Sequence, residues 1–172
     1  TRRQRQMCIR DRSSILKKNE GNGALKLELS TPGEKRLWFI ADAFRKGWTM
    51  EEVFVSCKVD YWFLHQIKDI VDDEKIIQNS KLEQIDANTL KSYKKKGFSD
   101  ARIADLLEVD EQSVREHRYK LNVHPVFKRV DSCAAEFDST TNYLYSTYEE
   151  FNESEVSNNK KIVVLGLSLI HI

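Results

Sequence analysis

Between Thr31 and Val71 the apolar residues recur at helical spacing three times, and each recurrence is bracketed by residues that start and stop helices. Leu37, Ile40, Ala41 and Phe44 fall on one face of a first helix. Thr31 is placed to cap it, Pro32 suits its first turn, Glu34 stands at capping-box distance, and Gly47 is placed to end it. Thr49 and Glu52 repeat the box for a second helix, with Met50, Val53, Phe54 and Cys57 as its apolar stripe. Asp60 then caps a third, whose buried side is Phe63, Leu64, Ile67, Ile70 and Val71.

The same grammar continues in both directions. Upstream, Ser13 to Ser30 is polar, and its alternation of Leu25, Leu27 and Leu29 leaves open a strand or the end of a preceding element. Downstream, the charged run after Val71 carries the third helix towards Ile77. Asp86, Ser99 and Asp110 are caps for further short helices, with Gly97 as a stop after a lysine run. From Val123 to Glu150 the helical period fades. Pro125 ends the preceding helix, Val126, Phe127 and Val130 suit an extended segment, and Tyr143, Tyr145 and Tyr148 fall in a polar, aromatic stretch that reads as a strap. Residues 152–159 are a polar linker, and Lys160 to Gly166, KKIVVLG, reads as a buried strand entering a glycine turn. The fold class is therefore mainly α: a bundle of short packed helices with an extended C-terminal strap and one terminal strand.

Candidate chemistry is sparse. Trp38, Trp48 and Trp62, beside Phe39, Phe44, Phe54, Tyr61 and Phe63, are expected to be largely core, since aromatics carry the burial energy of small helical domains. Leu37, Trp38 and Phe39 cover more than one side of the first helix, which leaves open an aromatic facing outward for another subunit or domain. Lys94 to Lys96 read as a solvated helix end complementing the helix dipole. Ile103 to Leu121 has helix-turn-helix spacing, with Ala104 at the tight contact, Leu107 and Val109 across the turn and Val114 in the core. A DNA-binding module would place Gln112, Ser113, Arg115 and His117 in a major groove. Against it, Glu108 holds the turn position usually given to glycine, and Asp110, Glu111 and Glu116 offset Arg115, Arg118 and Lys120. His124, Asp131 and Cys133 are nucleophile-site types that nothing in the sequence brings together. Cys57 and Cys133 sit in no CxxC or Cys/His cluster, which fits a reducing cytosol, and no apolar run reaches the roughly 20 residues that span a bilayer.

The termini alter the electrostatics. MCIRD at 7–11 and LSLIHI at 167–172 are encoded by strings that are nearly reverse complements, the arrangement of a library adapter joined to both ends of a DNA fragment. Residues 1–12 and 167–172 are accordingly expected to be adapter-derived scars on a piece of a longer gene. Leaving out Arg2, Arg3, Arg5, Arg10 and Arg12 against Asp11 takes the net charge from +1 to about −3, so the basic arm carries no nucleic-acid reading.

RLWFIADAFRKG at 36–47, DYWFLHQIKDIV at 60–71, LKSYKKKGFSDARIADLL at 90–107, HPVFKRVDSCAAEF at 124–137 and YLYSTYEE at 143–150 together resemble one family. It is the large subunit of carbamoyl phosphate synthetase, in the helical oligomerisation domain that joins its two synthetase halves. The resemblance implies a connector and oligomerisation domain over 31–150, preceded by the end of another region at 13–30. A linker at 151–159 and the first strand of a second ATP-grasp half at 160–166 would follow. It implies a cytoplasmic ligase that makes carbamoyl phosphate from bicarbonate, ammonia from glutamine and ATP, for pyrimidine and arginine synthesis. The implied partners are a glutaminase small subunit, the remaining large-subunit domains and further copies in a homo-oligomer, with no nucleic acid and no membrane. ATP and magnesium or manganese would serve the parent enzyme. No catalytic, cofactor-binding or metal residue is carried onto this chain, which alone is expected to be inactive.

Overall fold

The computed structural model describes residues 21–134, 136–137, 141 and 143–162. Their contacts separate at His124 and Pro125 into a helical body and a C-terminal body.

The helical body begins with α1 (Asn22–Ser30), in which Leu25 and Leu29 are wholly buried and Leu27 points outward. The buried pair is spaced i, i+4, so the leucine alternation is one helical stripe and an exposed residue, not a strand. Thr31 closes this helix and does not open the next: its backbone N–H and its hydroxyl both donate to Leu27 O, at 3.1 and 3.0 Å. The expected box of Thr31 and Glu34 is therefore not formed. α2 (Arg36–Arg45) starts after Lys35 with no side-chain cap. Arg36 instead ties three elements together, donating from Nε to Leu29 O at 3.0 Å and from Nη2 to Cys57 O. Phe39, Ile40, Ala41, Ala43 and Phe44 are buried, which makes α2 the centre of the first core, and Leu37 is the residue left outside.

α3 (Met50–Cys57) forms the expected capping box, with Glu52 N–H donating to the Thr49 hydroxyl and Thr49 N–H to the Glu52 carboxylate. α4 (Tyr61–Gln78) is capped by Asp60 and runs for 18 residues. Its length gives it two jobs: Leu64, Ile67 and Val71 complete the first core, and Ile77 enters a second. That second core is closed by a 3-10 turn (Leu82–Gln84), α5 (Ala87–Lys95), α6 (Asp100–Leu107) and α7 (Glu111–Lys120). Asp86, Ser99 and Asp110 each cap as expected, accepting from Thr89, Arg102 and Ser113 N–H.

The second half repeats the first at a constant offset of fifty residues. Gly47 and Gly97 adopt φ of +84° and +90°, and the next residues, Trp48 and Phe98, donate back to Ala43 O and Tyr93 O at 3.0 and 3.1 Å. Thr49 and Ser99 cap α3 and α6, and Asp60 and Asp110 cap α4 and α7. Between each pair of caps, Lys58 and Glu108 take left-handed φ of 55° and 57°. Ile40 and Leu90, Val53 and Ile103, and Leu64 and Val114 are fully buried at matching places. Helix, glycine stop, hydroxyl cap, helix, left-handed turn, aspartate cap, helix is thus one unit used twice.

In the C-terminal body, β1 (Val126–Arg129) pairs antiparallel with β2 (Leu144–Thr147) in the register Val126 to Thr147 through Arg129 to Leu144. Glu153 fastens the hairpin, accepting from Lys128 Nζ at 2.7 Å and Arg129 N–H at 2.9 Å, while its own N–H donates to Phe127 O at 2.8 Å. The extended strap is therefore a paired ribbon. Of the strand expected at 160–166, residues 160–162 are not in a strand, and 163–166 lie outside the described residues, as do both expected scars.

Candidate interaction surface

Three aromatic residues follow the Asp60 cap of α4. Tyr61 stacks on Phe54 of α3, ring centroids 4.3 Å apart and 17° from parallel, and its hydroxyl donates to Glu51 Oε2 at 2.5 Å. That hydrogen bond to the carboxylate holds the phenol above its ordinary range. Lys58 Nζ lies 5.4 Å from the Phe54 ring on the turn between the helices. Trp62 and Phe63 meet edge to face at 4.9 Å and are 63% and 55% exposed. The expectation of a tryptophan core is corrected: Trp38 and Trp48 are half-buried and Trp62 stands outside, and Phe63 leaves the stripe assigned to it. The outward aromatics sit on α4, not on α2: within the first turn of α4, Tyr61 packs on Phe54 and Leu64 is buried, while Trp62 and Phe63 between them are exposed.

A recess lies between α1 and α3. Asn22 and Lys26 of α1, Trp48, and Glu51, Glu52, Val55 and Ser56 line a cleft of about 350 Å³. Glu51 is common to both features, since it lines the cleft and holds Tyr61.

Between the two cores runs a chain of buried ions that the apolar pattern did not reveal. Glu74 on α4 accepts from Arg45 Nε and Nη2 of α2 at 2.7 and 2.9 Å, and from Arg102 Nη2 of α6 at 2.8 Å. Arg45 also holds Asp42 at 2.8 Å. Burial alone would raise the Glu74 carboxyl, but the hydrogen bonds and charges of Arg45 and Arg102 win and hold it below the usual carboxylate range. A second cluster joins Asp100 to Lys94 at 2.9 Å and to Arg118 at 3.0 Å, and Lys96 reaches Asp73 at 2.5 Å. Lys94 is thus a buried ion-pair partner and not part of a solvated helix end. A signal was present in the sequence: Glu74 follows Ile67 and Val71 on the apolar stripe, and Arg118 lies one turn from Val114.

The side chains that a DNA reading would send into a groove are engaged at home. Gln112 bonds Glu116 at 3.0 Å, the Ser113 hydroxyl bonds Asp110, Arg115 pairs with Glu111 at 2.6 Å, and His117 Nε2 meets Ile85 O at 2.9 Å. His124 lies against Tyr119 in the helical body, and Cys133 sits in the other body, its N–H donating to Asp131 Oδ1 at 2.9 Å. Among the described residues, no three His, Cys, Asp or Glu side chains are placed to hold a metal, and no helix is long and apolar enough to cross a membrane.

A family described as the oligomerisation domain of the carbamoyl-phosphate synthetase large chain matches residues 5–122. The carbamoyl phosphate synthase large chain of Neisseria meningitidis serogroup A is 54% identical over 142 residues, covering 83% of this chain and 13% of that protein. That of Pseudomonas syringae pv. tomato is 50% identical over 160 residues, covering 93% and 15%. That of Pasteurella multocida is 50% identical over 142 residues, covering 83% and 13%. The chain therefore spans 13–15% of the length of these relatives.

Proposed function

The chain belongs to the family of carbamoyl-phosphate synthetase large-chain oligomerisation domains, and on that premise we propose that it joins the two ATP-using halves of such a large chain and holds copies of the enzyme together. In this reading it carries no catalytic site of its own. The parent enzyme makes carbamoyl phosphate from bicarbonate, ammonia and ATP in the cytoplasm. Its glutaminase small subunit and the rest of the large chain are partners of this segment, and its product feeds pyrimidine and arginine synthesis.

One observation carries the reading: in a chain whose family is described as an oligomerisation domain, an aromatic pair stands exposed on a capped, well-packed helix. ATP and magnesium or manganese belong, in this reading, to other parts of the large chain. The described residues offer no metal-ligating cluster.

The test is a chimera in which this chain replaces its 142-residue counterpart in the Neisseria meningitidis serogroup A large chain. The chimera is expected to retain glutamine-dependent carbamoyl phosphate formation and the parent's sedimentation state, while the isolated chain forms no product. A folded chimera without product, or an isolated chain with it, overturns the reading.

A further inference from the structure

The two edges of the hairpin differ. Val130 N–H donates to Tyr143 O at 2.9 Å, so in the next pair of the register Arg129 and Leu144 turn their main-chain groups away from each other, and two places further Phe127 and Ser146 do the same. On the β1 side the chain itself meets those outward groups. Phe127 N–H donates to Asn152 Oδ1 at 3.1 Å, Phe127 O accepts from Glu153 N–H at 2.8 Å, and Arg129 N–H donates to the Glu153 carboxylate at 2.9 Å. On the β2 side the outward N–H and C=O groups of Leu144 and Ser146 meet no partner among the described residues.

Nothing in β2 blunts that edge. Proteins protect a free edge with charge, proline, a bulge or a covering segment, yet residues 143–148, YLYSTY, hold no charged residue and no proline, and β2 pairs one to one with β1. The faces are open as well. Cross-strand partners share a face, which places Phe127 and Leu144 on one side of the ribbon and Tyr145 on the other, and all three are exposed. Among the described residues from Pro125 to Ile162 none is buried, and a two-stranded ribbon without a core is marginal in water. One added strand on β2 would satisfy the open main-chain groups and cover apolar side chains on both faces at once.

The place of the hairpin in the chain selects the occupant. The match to the oligomerisation domain ends at residue 122, before β1 begins at Val126, so the hairpin lies beyond the segment that the family description ties to contacts between copies. The relatives are large chains of which this chain spans 13–15%, so most of such a protein lies outside it. We propose that β2 receives along its open edge an extended strand from another part of the same large chain, making a three-stranded sheet. The main chain of Leu144 and Ser146 supplies the hydrogen bonds, and alternate apolar side chains of the incoming strand lie beside Leu144 on one face and Tyr145 on the other. The inference rests on the large-chain reading and adds to it a contact between this segment and the rest of that chain.

Hydrogen exchange read by mass spectrometry, on the isolated 172-residue chain and on the chimera with the Neisseria meningitidis serogroup A large chain, tests it. Peptides covering 144–147 are expected to hold back two more deuterons in the chimera, those of Leu144 and Ser146, with exchange roughly tenfold or more slower than in the isolated chain. Ser146→Pro removes one outward donor while Tyr145 and Thr147 keep theirs towards β1, and in the chimera it is expected to cancel the added protection at Leu144. Equal exchange of those two amides in the isolated chain and an active chimera overturns the proposal. Slow exchange in the isolated chain that quickens on dilution gives the edge to a second copy and overturns it too. A folded chimera that forms no product overturns the large-chain reading instead.

Discussion

Glu74→Gln tests the idea that one carboxylate locks the two cores of the helical body together. The Glu74 side chain is 4% exposed and serves two guanidinium groups, Arg102 at 8% exposure and Arg45 at 20%. The amide keeps the shape and one acceptor but removes the charge. Arg45 retains Asp42 at 2.8 Å, whereas Arg102 loses the one ion pair it makes among the described residues. Removing one partner of a buried pair costs about 3–5 kcal/mol, and the retained Asp42 places this variant near the lower end, about 3 kcal/mol. With a urea slope of about 1–3 kcal/mol/M for a small domain, the unfolding midpoint falls by about 1–3 M. Circular dichroism at the helical band reads this directly. Adding Arg102→Met to Glu74→Gln removes the stranded cation and is expected to restore about 1 kcal/mol or more, so the two changes are not additive. A loss under about 1 kcal/mol, or a strictly additive pair, would show that water already solvates the cluster and would refute the argument.

Three further outcomes follow from the same geometry. The Glu74 and Asp100 carboxyls are both held below their ordinary values of 4.5 and 3.8, in each case by basic hydrogen-bond partners that outweigh burial. Their contribution to stability is therefore complete above those ordinary values and is lost as pH falls through the depressed ones, which urea midpoints taken from about pH 7 to about pH 3 would reveal; a midpoint indifferent to acid refutes it. Ser99→Ala removes the acceptor of Arg102 N–H at the start of α6 and is expected to cost about 1 kcal/mol in the same urea assay. Gly47→Ala introduces a Cβ that meets nothing within 4 Å, so its cost, about 1–2 kcal/mol, comes from φ of +84° alone; an unchanged midpoint would show that the turn relaxes freely.

The helices were legible because their signals are local. Thr49 with Glu52, Asp60, Asp86, Ser99 and Asp110 all cap where their spacing from the apolar stripes placed them, and Gly47 and Gly97 occupy the left-handed stops. Thr31 failed as a cap because the same side-chain oxygen that can accept from a helix ahead can donate to the carbonyls of a helix behind. A helix over 22–30 settled which role it took, and in sequence its three alternating leucines left open a strand or the end of a preceding element. The candidate surface was half legible. An outward aromatic was left open on α2, but α2 packs against α1, α3 and α4 and buries Phe39, and the exposed aromatics are Trp62 and Phe63 at the start of α4.

The residues by themselves determined the helical class, the starts and stops of most helices and the kinship to large-chain oligomerisation domains, because each is written in neighbours a few positions apart or in the identity of the string. Only the tertiary structure decided that Lys94, Arg102 and Glu74 are interior ions while Trp62 and Phe63 are exterior hydrophobes. Charge and hydropathy rank a side chain's cost in water, but burial is set by which helices pack over it. Glu74 lies 29 residues from Arg45 and 28 from Arg102, and packing alone brings those three side chains into one site.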